Sequence, residues 1–329
     1  MILILSQNYS ENSTEDVMDW IEYYGHKAIR LNDVDFFNKV SYGVQLENNK
    51  SFDFKLCFQE NDVQIKDIHV IWYRKWSNSI KSNLDIENKT IESFIGNYLF
   101  SEIGHSHQVI FDNLKHIKWI DDFQYVKIDK YNQLKLAIAS GILIPNTLIS
   151  NNKKELIDFY EANNGNIITK SFNEFGHIYY EKKSYATYTN KITHSDIMLM
   201  DDFFYPSIFQ ENIEKDYELR VFHLNGKNKA MVIFSQNDEQ TKIDFRRYNF
   251  TKQNKTIPFI LPNELEHKIN VFMQKAKLTS GSIDIIRSIE GKYIFLEVNP
   301  QGQFGMVSSP CNYYLEKDFA KFLTDNDHE

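Results

Sequence analysis

Residues 281–305 read GSIDIIRSIEGKYIFLEVNPQGQFG and hold the most informative pattern in the chain. Two apolar runs, residues 282–286 and 293–298, predict neighbouring strands. The polar letters EGK between them predict a tight turn, because glycine adopts backbone angles that other residues avoid. The segment is therefore predicted to form a β-hairpin.

Three oxygen-bearing side chains stand on this hairpin. Glu297 and Asn299 are two residues apart, so both point to the same face of the second strand. Asp284 on the first strand joins them if it faces the same way. Such a set suits Mg²⁺, which takes its remaining ligands from water and from the phosphates of a nucleotide. The spacing alone is equally typical of a hairpin with a polar outer face. The choice between a phosphoryl-transfer site and a solvated surface therefore depends on residues elsewhere in the chain.

The bulk properties of the chain exclude some classes of function. It has 329 residues, a formal net charge of -8 and 42% hydrophobic residues, which is enough for two or three domains. The acidic balance disfavours nucleic acid and anionic membranes as partners, and no apolar run approaches the roughly 20 residues of a membrane span. The only cysteines, Cys57 and Cys311, lack metal-binding spacing, which is typical of the reducing cytoplasm.

The order of predicted elements indicates an α/β protein. Residues 2–5, 14–24 and 27–31 predict a strand, a helix and a second strand, which together start a βαβ unit. The pair Asn225-Gly226 between apolar runs predicts a hairpin. Other strands are predicted at residues 52–58 paired with 63–65, 70–73, within 109–119, 146–150, 166–170, 207–210 and 230–234, with a helix or strand at 217–224; other helices are predicted near residues 85–108, 129–139, 153–163 and 263–276.

Two further stretches offer groups that suit a nucleotide. Lys170 ends a predicted strand, and the loop after it contains a glycine that lets backbone N–H groups approach phosphate. By itself this is weak evidence for a phosphate-binding site, because a lysine at a strand end is usually a solvated charge. The sequence IFQENI, residues 208–213, offers backbone groups and the side chains of Gln210 and Glu211 to read an adenine edge, and Glu218 stands where it could face ribose hydroxyls.

Arginines form the last group of candidates. Arg220, Arg246 and Arg247 precede the hairpin, and a guanidinium group is suited to bidentate recognition of phosphate or carboxylate. Each of them is also typical of a surface ion pair, which is the favoured interpretation for Arg247.

The order of these motifs resembles the ATP-grasp ligase superfamily over roughly residues 118–310. The resemblance rests on the following segments: Asp129-Lys130, IITK at 167–170, QENI at 210–213, ELR at 218–220, DFRR at 244–247, SID at 282–284 and LEVNP at 296–300. Three further stretches, EVNPQGQF at 297–304, IWYRK at 71–75 and residues 130–152, resemble the branch that modifies peptides. This branch contains the graspetide, or microviridin-type, macrocyclases, and the chain is most similar to their grasp-with-spasm maturases.

The resemblance implies an α/β architecture of the ATP-grasp fold. It divides the chain into an N-terminal pre-ATP-grasp domain, residues 1–117, a central subdomain, residues 118–204, and a C-terminal subdomain with the magnesium site, residues 205–329. ATP is expected between the last two.

The resemblance also assigns roles to individual residues. The implied roles are phosphate binding for Lys130 and Lys170; an adenine hinge for Gln210, Glu211, Asn212 and Ile213; a ribose contact for Glu218; Mg²⁺ ligation for Asp284, Glu297 and Asn299; and catalysis near the γ-phosphate and the acceptor carboxylate for Arg220, Arg246 and Lys170. The single glycine in the loop after Lys170 departs from stricter ATP-grasp patterns and weakens its implied grip on phosphate. The loop, residues 172–177, is the candidate lid.

The implied activity is that of an ADP-forming ligase that uses ATP and Mg²⁺. It would phosphorylate Asp or Glu side chains of a ribosomally made precursor peptide and join them to Thr, Ser or Lys side chains as ω-esters or ω-amides. The alternative within the same fold is a ligase that adds amino acids to a peptide or protein terminus, as glutamate ligases do. A non-catalytic binding module and a structural protein are disfavoured by the complete set of oxygen ligands, lysines and arginines. A leader-binding contribution from residues 182–195 and a homodimer are further expectations of the resemblance.

Overall fold

The computed structural model describes residues 1–7, 12–35, 39–48, 53–58, 64–76, 86–173, 178–180, 183–185, 187–237 and 254–328. The strands in these ranges are β1 Ile2–Ser6, β2 Ala28–Asn32, β3 Val40–Gln45, β4 Asp53–Phe58, β5 Val70–Tyr73, β6 Lys118–Ile120, β7 Thr147–Asn152, β8 Ile167–Lys170, β9 Ile178–Tyr180, β10 Lys183–Tyr185, β11 Asn190–Ile192, β12 Phe203–Glu211, β13 Lys215–Leu224, β14 Lys227–Phe234, β15 Lys255–Phe259, β16 Ser280–Ser288 and β17 Tyr293–Asn299. The α-helices are α1 Asn12–Tyr23, α2 Lys89–Asn113, α3 Lys130–Ala139, α4 Lys153–Ala162, α5 His194–Met198, α6 Asn263–Ala276, α7 Gly305–Cys311 and α8 Leu315–Thr324.

The chain forms two compact units, one of Met1–Val126 with Tyr314–Glu329 and one of Lys127–Tyr313. The division into three parts after residues 117 and 204 stays a prediction. In the N-terminal unit, helix α8 packs on α1. Its buried face is an apolar stripe at helical spacing, and the ring of Phe319 lies 4.5 Å from that of Trp72 on β5.

The N-terminal unit contains a parallel sheet in the order β2-β1-β5-β6. Strand β1 is buried along its whole length, as expected for a strand of a parallel sheet that is covered on both faces. The strands β1 and β2 with α1 between them confirm the predicted βαβ start.

Two predictions in this unit are wrong. Strand β4 pairs antiparallel with β3 rather than with Gln64 or Ile65; Ile65 lies in a short 3-10 helix, and Val63, which was part of the same predicted strand, lies outside the described residues. The sequence of β3, VSYGVQ, contains serine and glycine, which weaken the strand signal. Helix α2 extends to Asn113, beyond its predicted end near residue 108, because Ile110 and Phe111 continue its buried face. In place of the strand predicted within residues 109–119, only the short strand β6, Lys118–Ile120, is formed.

Among the described residues, the second unit contains two larger antiparallel sheets, in the orders β11-β8-β12-β7 and β15-β14-β13-β16-β17, and a two-stranded antiparallel sheet of β9 and β10. Residues 217–224, for which the sequence left helix or strand open, lie in β13. The predicted turn at Asn225 and Gly226 is confirmed, and both residues have the positive φ values, 44° and 83°, of a tight hairpin. None of the helices in the described part of the chain is both long and apolar enough to cross a membrane.

Candidate active site

The hairpin of β16 and β17 places the predicted oxygen ligands opposite one another. Asp284 pairs with Glu297, and Ser282 pairs with Asn299. Residues that stand directly opposite in an antiparallel pair share a face of the sheet. Asp284, Glu297 and Asn299 therefore point to one face, which is the arrangement that the sequence left conditional.

An irregularity in the pairing is what turns Glu297 to that face. Asp284 pairs with Glu297 while the next residue, Ile285, pairs with Phe295, so Leu296 is an extra residue in β17. Phe295 is fully buried, and its ring lies 4.9 Å from that of Phe272 on α6. In a regular strand Glu297 would face the same side as Phe295. The β-bulge at Leu296 reverses this alternation and takes the carboxylate out of the core.

Strand β16 lies between β17 and β13, and Arg220 on β13 is the neighbour of Asp284 on the side away from Glu297. The two residues are opposite in the β13 and β16 register, and Arg220 Nη1 donates to Asp284 Oδ2 at 2.5 Å. Burial raises the pKa of Asp284 to about 6, the Arg220 guanidinium opposes that rise, and the Glu297 carboxylate adds to it. The chain thus holds two carboxylates close together, which is unfavourable unless a cation lies near both.

The Nε of Arg220 has an unusual environment. It is buried and lacks a hydrogen-bond partner among the residues that the structure describes. A buried donor without an acceptor is costly, and a guanidinium group fits phosphate or carboxylate oxygens well. This atom is therefore a candidate donor to an anionic ligand beside Asp284.

Lys130 reaches the same cluster from the start of α3. Asp129 caps this helix by accepting from the backbone N–H of Asn132. Lys130 Nζ donates to the carbonyl oxygen of Ser171 at 3.0 Å and lies 3.4 Å from Glu297 Oε2. Ser171 directly follows Lys170, so Lys130 contacts the backbone one residue after the end of β8. The structure thus joins Lys130 and Glu297, which are distant in the sequence.

Glu218 on β13 has two buried partners. Lys215 Nζ lies 2.9 Å from Glu218 Oε1, and Ser235 Oγ donates to the same oxygen at 2.5 Å. Residues three apart in a regular strand face opposite sides, but the register of β13 shifts between Lys215 and Tyr217. That shift places the Lys215 side chain on the same side of the strand as Glu218, where the two form an ion pair. Lys215 could not be predicted as a partner of Glu218, since the register shift leaves no signal in residue spacing.

The predicted hinge, residues 210–213, begins with the last two residues of β12 and continues into the segment after it. The Gln210 side chain is buried and donates from Nε2 to Thr147 Oγ1 at 2.9 Å, so it holds β12 to β7. Asn212 exchanges hydrogen bonds with Asn166 through both backbone and side chain. Glu211 accepts from the backbone N–H of Asn146 at 3.3 Å.

A cavity of about 510 Å³ adjoins this hinge. Among the residues that the structure describes, its walls include Glu211, Asn212 and Ile213, and they do not include Lys130 or Glu297. The hinge residues and the charged cluster are therefore two separate parts of the candidate site, linked by the strands β12 and β13.

Several predicted groups cannot be located. Arg246 and Arg247 lie outside the described residues, as do residues 174–177 of the candidate lid and part of the stretch 182–195. Within the described ranges, no three His, Cys, Asp or Glu side chains form a cluster that could hold a metal ion by themselves. The predicted ligand set has two carboxylates and the amide of Asn299, so its assignment to a metal stays a prediction.

Comparisons with known proteins bear on this geometry. Residues 1–127 match the MvdD pre-ATP grasp domain family. No curated protein matches the chain. Among solved structures, the macrocyclase MdnC from Microcystis aeruginosa MRC, bound with precursor peptide MdnA, is 26% identical, with a TM-score of 0.81 and 99% of each chain covered.

Two other solved structures extend the similarity. The RiPP-associated ATP-grasp ligase of Chryseobacterium gregarium, in complex with ADP and a leader and core peptide, is 26% identical, with a TM-score of 0.81 over 98% of this chain and 96% of that one. The ATP-grasp ligase PsnB, complexed with a phosphomimetic variant of a minimal precursor, Mg and ADP, is 16% identical and shares the fold, with a TM-score of 0.75 over 99% and 98%. The N-terminal domain match and the likeness along the whole chain agree with the order of sequence motifs: the chain has the ATP-grasp fold with a pre-ATP-grasp domain, and it is similar to ATP-grasp ligases that act on precursor peptides.

Proposed function

We propose that the chain uses ATP to join Asp or Glu side chains of a ribosomally made precursor peptide to Thr, Ser or Lys side chains of the same peptide. A free carboxylate reacts poorly with alcohols and amines, because its leaving group is poor. Transfer of the γ-phosphoryl group to the carboxylate gives an acyl phosphate and ADP. Attack by the hydroxyl or amine then forms an ω-ester or ω-amide and releases phosphate, so each ring consumes one ATP and removes the elements of one water.

The observation that best supports this reaction is the buried Nε of Arg220. It is a donor without a partner in the described part of the chain, and it belongs to the guanidinium group that already holds Asp284. We propose that it binds an oxygen of the γ-phosphate or of the acceptor carboxylate. A fixed donor at the point where charge develops lowers the barrier without reorganising during the reaction.

The charged cluster around Glu297 supports the phosphate end of the site. Lys130 lies beside Glu297 and beside the carbonyl that follows Lys170, so we propose that both lysines bind ATP phosphates. The two carboxylates and the amide oxygen of Asn299 are hard donors of the kind that Mg²⁺ takes. Asp284, Glu297 and Asn299 would hold Mg²⁺, which when bound offsets the charge of the phosphates.

At the nucleoside end, we propose that residues 210–213 bind adenine and that Glu218 binds the ribose. Because the Gln210 side chain is bonded to Thr147, backbone groups near the cavity are the better candidates for reading the base. Both contacts of Glu218 use Oε1. We therefore propose Oε2 as the acceptor for a ribose hydroxyl.

The remaining expectations concern the setting of the reaction. Cys57 and Cys311 are both free thiols, which agrees with the proposed location in the reducing cytoplasm.

The resemblance also leads us to propose a homodimer. Phe94 and Tyr98, one turn apart on α2, are 74% and 58% exposed, and they offer an apolar surface for a second copy. Sedimentation of the purified chain as a monomer would contradict this assembly.

The proposed reaction predicts a defined mass change. Incubation with ATP, Mg²⁺ and the peptide encoded beside the gene is expected to lower the peptide mass by one water for each ring, with one ADP released for each loss. Mass spectrometry and an ADP assay on the same samples measure both quantities. A peptide that gains amino-acid residues would instead support the terminal ligase. Unchanged peptide mass, with nucleotide bound and no ADP formed, would contradict both.

A further inference from the structure

Gln133 on α3 makes two hydrogen bonds that involve the candidate site. It lies one turn after Lys130 and is 5% exposed. Its Nε2 donates to the carbonyl oxygen of Ile128 at 3.0 Å, and its Oε1 accepts from the backbone N–H of Val298 at 2.9 Å. One side chain thus links the segment before α3 to strand β17.

The position of Val298 makes this contact relevant to the site. Val298 lies between Glu297 and Asn299, directly after the bulge at Leu296. Strand β17 is at the edge of its sheet, so its outward N–H groups need partners from outside the sheet. The N–H of Phe295 donates to the carbonyl oxygen of Leu143. Gln133 supplies the acceptor on the far side of the bulge.

We infer that Gln133 is a positioning residue that fixes α3 against β17, so that the ammonium group of Lys130 faces Glu297. The amide is suited to this task because it accepts from the strand with one atom and donates to the backbone before the helix with the other. Lys130 and Glu297 are on different elements, and their 3.4 Å separation depends on how those elements are held. This inference rests on the proposed function, in which both residues act at the phosphate end of the ATP site.

Two substitutions of Gln133 distinguish the contributions of its two hydrogen bonds. Gln133→Met has a similar length and removes both. Gln133→Glu keeps an acceptor for the Val298 N–H and replaces the donor to Ile128 by an oxygen. Small displacements of positioned groups cost about a hundredfold in rate. We therefore expect kcat to fall by about that factor in Gln133→Met, with a clear rise in the KM for ATP, and we expect Gln133→Glu to fall between Gln133→Met and the wild type.

Asn270 offers a matched control. It also joins a backbone carbonyl, that of Gly226, to a side-chain amide, that of Asn228, but it does so at the β13–β14 turn. Asn270→Leu should therefore lose comparable hydrogen bonds while leaving the KM for ATP and the Mg²⁺ dependence unchanged. All variants are assayed at a temperature at which circular dichroism shows them fully folded.

The measurement is a steady-state comparison of kcat, the KM for ATP and the Mg²⁺ concentration for half-maximal rate, with MgADP affinity measured by calorimetry. Higher KM, weaker MgADP binding and a higher Mg²⁺ requirement in Gln133→Met, absent in Asn270→Leu, would support the positioning role. Wild-type constants in Gln133→Met, or a lower kcat with unchanged KM that Asn270→Leu reproduces, would overturn it. A wild-type chain that forms no ADP would instead contradict the proposed function.

Discussion

Replacing Glu297 by Gln is expected to reduce ring formation by about a hundredfold or more while leaving the chain folded. The side chain keeps its shape but loses the charge that faces Lys130 at 3.4 Å and a proposed metal ligand. Changing a residue that only supports a metal ligand typically costs about 10–100-fold, so the ligand itself should cost at least as much. The measurement is the initial rate of peptide dehydration by mass spectrometry.

Glu264 provides the control for this substitution. It lies in the first turn of α6 and forms an ion pair with Lys268, with its own side chain 81% exposed. Glu264→Gln removes an equal charge away from the proposed site, and we expect a rate close to that of the wild type. If Glu297→Gln retained full activity, Glu297 would be removed from the proposed site.

Replacing Arg220 by Met is expected to lower the free energy of unfolding by about 3–5 kcal/mol. Arg220 and Asp284 form a buried ion pair, and removal of the cation leaves a carboxylate that burial already disfavours and that the Glu297 carboxylate disfavours further. Urea unfolding followed by circular dichroism measures the change. Activity should also be lost, since the substitution removes the donor proposed to bind phosphate or carboxylate.

Two further variants test the cause of that loss of stability. The double variant Arg220→Met with Asp284→Leu removes both charges, and it should recover much of the stability because no unpaired buried charge remains. Arg287→Met breaks an exposed pair with Asp216, where little change is expected. A single variant Arg220→Met that unfolds at the wild-type urea concentration would contradict the account of this pair.

The hairpin that carries the oxygen ligands could be predicted from the sequence, because its apolar runs and its glycine turn are local signals. The face to which Glu297 points could not be derived from simple alternation. The buried residues Phe295 and Val298 are three apart, an odd spacing that a regular strand cannot bury on one face. In retrospect this spacing is the signal for the bulge at Leu296.

Other parts of the site depend on contacts between residues that are distant in the sequence. Gln133 is an ordinary polar residue in a predicted helix, and only the fold shows that it accepts from Val298. Lys215 meets Glu218 through a register shift. The return of α8 to the N-terminal unit likewise depends on a partner, α1, at the other end of the chain. No local pattern encodes such pairings.

In the proposed reaction, a peptide carboxylate receives the γ-phosphoryl group of ATP before the ring closes. A precursor peptide whose Asp and Glu side-chain carboxylates contain a heavy oxygen isotope tests this order of steps. An acyl phosphate transfers one carboxylate oxygen to the released phosphate, so mass spectrometry should find one labelled oxygen in the inorganic phosphate for each ring formed. Rings formed with unlabelled phosphate would contradict the account.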